Sequence, residues 1–132
     1  MTVPLLQRLR NWWREFQQSR ADARQIVERQ WVVRFDAQGV AVDHPGGEQQ
    51  SITWDEVRTI AIETNDSGPW GPDVWWQLEG VENFCAFPFG ATGEQRAFEI
   101  ILAQFPGFDS DLFSKAMWTT DNARFVCWER KA

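Results

Sequence analysis

The sequence predicts an α+β fold: an antiparallel β-meander of about six to seven strands, with an amphipathic helix before it and two helices near the C-terminus. Three observations carry that expectation. Apolar residues recur at every second position in short runs between Trp31 and Phe89, the period of a half-buried strand. They recur at three- and four-residue steps in residues 5–16 and again in 98–117, the period of a helix packed on one side. The strand runs are joined by short breaks rich in turn-forming residues, which favours antiparallel neighbours.

Taken in order, the chain opens with MTVPLLQRLRNWWREF. Leu5, Leu6, Leu9, Trp12, Trp13 and Phe16 share one helical face, and Arg8, Asn11, Arg14 and Glu15 fall on or beside the other. Thr2 can cap this helix, and Pro4 is tolerated in a first turn. Beyond Phe16 the stripe thins to Ala23, Ile26 and Val27, so residues 1–30 read as a helix or arm. Residues 31–132 read as a single α+β domain.

At Trp31 the period changes to two. WVVRFD sets Trp31, Val33 and Phe35 on one face, and GVAVDH returns after the Ala37-Gln38-Gly39 turn. Pro45-Gly46-Gly47 turns the chain into EQQSITW, and VRTIAIET points Ile60 and Ile62 inward. DVWWQLEG and NFCAFPF complete six strands. Thr92 and Gln95 have capping-box spacing and open a helix whose stripe is Phe98, Ile101, Leu102 and Phe105, stopped by Pro106-Gly107. Asp109, Ser110 and Asp111 start a shorter helix with Leu112, Phe113, Ala116 and Met117 on its apolar side. ARFVCWER is the seventh strand. One contiguous core is expected from Trp31, Phe35, Trp54, Ile60, Ile62, Trp76, Phe98 and Leu102.

At 132 residues, 43% hydrophobic and 24% charged, the chain is long enough to bury a core without staples. It has nine Trp and ten Phe but no Tyr. The charge is uneven. Residues 1–34 hold seven Arg against Glu15, Asp22 and Glu28, whereas the remainder holds six basic and sixteen acidic residues. An acidic body of this kind is a poor counter-surface for phosphates, so nucleic acid is not an expected partner. No apolar run approaches the roughly 20 residues of a membrane span, and no secretory signal is visible. Cys85 and Cys127 make neither a disulfide framework nor a zinc knuckle, so a cytoplasmic location with reduced thiols is expected.

The run WVVRFDAQGVAVDHP, followed by QSITWDEVRTIAIET, resembles the opening of small bacterial PH-like domains over about residues 31 to 105. The strings ATGEQ, FPGFD and FVCWER are similar to those of a family of uncharacterised short proteobacterial proteins. The first resemblance implies a PH-like or related roll and a binding module for lipids or peptides; the second implies no activity.

Chemistry is sparse. His44, the single histidine, lies in VDHPGG and is expected to be a solvent-facing turn residue. FGATGEQ puts two glycines before a helix but lacks the Lys-Ser/Thr of a P-loop, and reads as a connector. The acidic pairs Asp55-Glu56 and Asp109/Asp111 sit at element ends and read as caps. No catalytic, cofactor-binding or metal-binding residues are expected, and an enzyme is not expected.

Two tryptophans are the candidate partner-binding residues. Trp70 stands between two Gly-Pro steps, in a stiff loop suited either to recognition or to plugging the sheet. Trp75 is a large ring among the polar neighbours Asp73, Gln77 and Glu79. Either the first helix covers it or it is an exposed platform for another protein. The expected function is a non-catalytic cytosolic interaction module binding a protein partner, in one version an immunity protein that occludes a basic enzyme. The alternative is a peripheral membrane protein whose N-terminal helix meets an anionic surface through Arg8, Arg10, Trp12, Trp13 and Arg14.

Overall fold

Strand pairing divides the chain into two antiparallel sheets, where one meander was expected. The computed structural model describes residues 28–64, 74–119 and 122–131. The first sheet holds β1 (Val32–Phe35), β2 (Gly39–Asp43) and β3 (Gln49–Thr53) in that order. The second holds β4 (Thr59–Thr64), β5 (Val74–Glu79), β6 (Phe84–Pro88) and β7 (Ala123–Glu129) in the order β6-β5-β4-β7. Two helices, α1 (Ala97–Gln104) and α2 (Ser110–Met117), lie between β6 and β7 in the chain. Among the described residues no helix is long and apolar enough to cross a membrane.

The division falls at a 3-10 turn, Trp54–Glu56. Thr53 Oγ1 accepts from Glu56 N at 3.2 Å, and the Glu56 carboxylate accepts from Thr53 N at 3.1 Å. This reciprocal capping box fixes the corner between β3 and β4. Arg130 closes the same corner from the other end of the chain. Its Nε donates to Val57 O at 2.9 Å and its guanidinium lies over Trp128, 5.2 Å from the ring centroid.

The capping box expected at Thr92 and Gln95 does not form. Thr92 is committed elsewhere: its amide donates to Trp31 O, its carbonyl accepts from Val33 N, and its hydroxyl donates to Arg29 O, each at 2.8 Å. Thr92 therefore extends the edge of β1 as a parallel bridge. Gly93, with φ at 90°, then reverses the chain into the 3-10 turn Glu94–Arg96, and α1 starts only at Ala97.

Two residues of the expected α1 stripe, Ile101 and Phe105, are buried, and the other two are not. The buried stripe of α1 is Ala97, Ile101 and Phe105, at four-residue steps, whereas Phe98 is 36% and Leu102 37% exposed. Phe98 instead rests on Phe113 of α2 at 4.7 Å. Trp31 and Phe35 pack against the core from its rim without being fully buried. Trp54, Ile60, Ile62 and Trp76 are core residues, as expected. Register explains the last three, since Ile62 faces Trp76 and Ile60 faces Leu78 across the β4–β5 ladder.

β7 returns to β4 rather than continuing the meander. The register jumps between Ile60, opposite Trp128, and Ala61, opposite Val126, so Cys127 is the extra residue of a bulge. Its carbonyl accepts from Asp109 N at 2.8 Å, while the Asp109 carboxylate accepts from Leu112 N at 2.9 Å and caps α2. Bulge and cap together take up one carbonyl of β7, the edge strand of its sheet.

Candidate functional site

Alternation along β5 decides which side chains face outward. Val74, Trp76 and Leu78 point to the core, and Trp75, Gln77 and Glu79 point away from it. Paired positions share a face, so the outer face also carries Glu63, Ala61 and Thr59 of β4 and Pro88, Ala86 and Phe84 of β6. β7 adds Arg124 and Val126.

The middle of this face is tied together by polar contacts. Gln77 Nε2 donates to the Glu63 carboxylate. Arg124 stands opposite Glu63, yet its guanidinium meets Glu79 Oε1 at 2.7 Å, beside Thr59. The Arg124 stem must therefore run along the sheet past Ala61. Ala61 is fully buried despite its outward position.

Aromatic residues close one end. Trp75 is half-buried, and the Trp31 ring meets it edge-on at 4.9 Å and 90°. His44 lies 4.2 Å beyond Trp31. The expectation of a solvent-facing His44 fails, because its side chain is only 15% exposed. The reason is register: β1 and β2 pair to Val32 and Asp43, which brings the next residues on each strand, Trp31 and His44, against one another. The Nε2 of His44 is enclosed without a hydrogen-bond partner among the described residues, and Nδ1 lies 4.0 Å from Glu48. Trp70 and the N-terminal Arg8, Arg10, Trp12, Trp13 and Arg14 lie outside the described residues.

The opposite end is open and was missed by sequence reasoning. At the β5–β6 hairpin, Val81 is 79% and Phe84 55% exposed, beside a groove of about 400 Å³ rimmed by Glu79 and Glu82. Asn83 Nδ2 donates to Glu56 Oε2 at 2.5 Å and ties the hairpin to the corner turn. That bond, with those from Thr53, holds the Glu56 carboxyl below its ordinary range, so it stays ionised. A signal did exist in NFCAFPF. If Cys85 and Phe87 face inward, Phe84 must face outward, where a polar residue is usual.

Both thiols are quiet. Burial, with the nearby charge of Glu56, pushes Cys85 up to about 12; burial, with Asp109, pushes Cys127 to about 11. Neither supplies a thiolate at neutral pH. No cluster of three or more His, Cys, Asp or Glu positions a metal among the described residues.

Glu94 is shifted in the opposite direction to Glu56. Desolvation raises it above its ordinary value, against the opposing hydrogen bonds from Trp76 Nε1, at 3.1 Å, and from the Gly90 backbone. A carboxyl raised in the folded state contributes stability below its unfolded pKa, and that contribution is lost as pH rises through the folded pKa. Glu94→Gln keeps an oxygen for Trp76 and removes the desolvated charge. The variant is expected to melt above the wild type at pH 7. The gain should shrink as the pH falls through the raised folded-state value and be gone once it is below the ordinary glutamate range, and thermal melts across pH 3 to 8 check it.

Comparison with protein-family models, with curated proteins and with solved structures returns no match.

Proposed function

We propose that this chain is a non-catalytic protein-binding module that meets a basic partner through the outer face of the β6-β5-β4-β7 sheet. The observation that carries the reading is the exposure of Phe84 and Val81 at the end of that face, beside Glu79 and Glu82. Apolar side chains left in water next to a groove are the features that become buried contacts in a complex. Beyond residue 34 the chain holds sixteen acidic residues against six basic ones, which supports a basic partner by steering and by complementarity. An immunity-protein-like role in the cytoplasm, occluding a basic enzyme surface, is one concrete form. The resemblance to PH-like domains also favours binding over catalysis.

Phe84→Ala tests the reading, because the ring is exposed and its removal leaves no internal cavity. The variant is expected to lose less than about 1 kcal/mol of stability. It should nevertheless fail to retain the protein that the wild type captures from its own cells, as read by mass spectrometry of the eluates. Equal capture by both proteins would overturn the proposal.

A further inference from the structure

We infer that the groove at the β5–β6 hairpin is an arginine subsite, receiving one arginine side chain of the partner between the ring of Phe84 and the carboxylate of Glu82. The inference rests on the outer face being a docking surface and names what its open end recognises.

The groove joins two chemistries that few side chains satisfy together. Its apolar wall is Val81 and Phe84, and its rim is Glu79 and Glu82. Glu82 makes no ion pair among the described residues, and Glu56, joined to the rim through Asn83, stays ionised. A purely apolar ligand would leave these carboxylates facing an apolar surface, which is unfavourable. A compact cation such as an ammonium would satisfy the charge but leave the ring unmatched. Arginine meets both demands, because its planar guanidinium stacks on an aromatic face while forking to a carboxylate. Its stem is apolar and lies comfortably against a valine.

Two of the protein's own arginines each make one of these two contacts. Arg124 pairs with Glu79 at 2.7 Å on the same rim, and Arg130 lies over Trp128 at 5.2 Å. Glu79 has thus already taken one guanidinium from within the chain. Glu82 is the carboxylate left for a second one from outside.

The test uses the full chain and N-acetyl-arginine methylamide, followed in proton–nitrogen correlation spectra. Shifts are expected to cluster on Gly80, Val81, Glu82, Asn83 and Phe84, to be weaker with the lysine analogue, and to vanish with the uncharged citrulline analogue. Glu82→Gln, an exposed change that leaves the fold in place, should weaken arginine binding about tenfold, the size of one charged hydrogen bond. Equal shifts with citrulline, shifts scattered over the surface, or an unaffected Glu82→Gln would each overturn the inference. Its failure is separable from failure of the docking surface. If Phe84→Ala abolishes partner capture while the arginine probe is silent, the surface stands and the arginine subsite falls. If the probe binds as expected and capture ignores Phe84, the surface reading falls.

Discussion

Replacing Trp76 by Ala is expected to cost about 3–5 kcal/mol, a large part of the roughly 5–15 kcal/mol that holds a domain of this kind together. The ring is fully buried and is the hub of the aromatic layer between the second sheet and the helices. Phe89 stacks on it at 5.6 Å and 7°, Phe113 lies at 5.2 Å, and Phe87 and Phe108 each lie at 6.2 Å. Four rings lose their common neighbour when it goes, and a cavity of this size in a close-packed core does not collapse fully. The lost indole also strips Glu94 of a hydrogen bond in a desolvated position. Chemical denaturation of the variant measures the loss directly. Trp76→Phe, which keeps much of the ring, should recover a large share of it. A Trp76→Ala protein within about 1 kcal/mol of wild type would mean that the aromatic layer contributes little.

Gly93→Ala is expected to be strongly destabilising for a change of one carbon. Its φ of 90° is costly for any residue with a side chain, on the order of 1–3 kcal/mol. In addition, a Cβ there would sit 2.2 Å from Val33 O, well inside contact distance. That carbonyl belongs to β1, whose neighbouring groups hold Thr92 at 2.8 Å, so relief of the clash must strain the bridge between the first sheet and the chain entering α1. Gly107→Ala is the matched comparison. Its φ is 93°, but nothing lies within 4 Å of the added carbon. It should therefore show the backbone cost alone, about 1–3 kcal/mol, with Gly93→Ala falling clearly below it in stability. Equal losses in the two variants would show that the contact with Val33 yields without cost.

Local pattern explains why much of this architecture was legible in the sequence. Each strand from β1 to β7 lies within a run read as a strand, and α2 is capped by Asp109 where the acidic cap was expected. What escaped depended on distant partners. Nothing near Ala123 states that β7 pairs with β4, because that ladder joins residues some sixty positions apart. Half of the expected α1 stripe, Ile101 and Phe105, is buried; Phe98 and Leu102 differ for a related reason. Phe98 and Leu102 fit a helical stripe as well as Ala97 does, and the choice between them is made by the Thr92–Val33 bridge and the Gly93 reversal.

The candidate surface shows the same limit. Alternation places the Trp75 ring on the polar side of β5, but the Trp31 ring that meets it edge-on comes from just before β1. His44 reads as a turn residue until the hairpin register brings it against Trp31. Phe84 is the outward aromatic of NFCAFPF, since its neighbours Cys85 and Phe87 take the core side. Side-chain alternation alone could have found it.

Amide hydrogen exchange of the protein, alone and saturated with the partner it captures, is the most direct test of the binding surface. Protection on binding is predicted in residues 75–88, strongest at the hairpin from Gly80 to Phe84, with α1 and α2 unchanged. Protection confined to α1 and α2, with the hairpin exchanging as freely in the complex as in the free protein, would contradict the assignment of the outer sheet face as the docking surface.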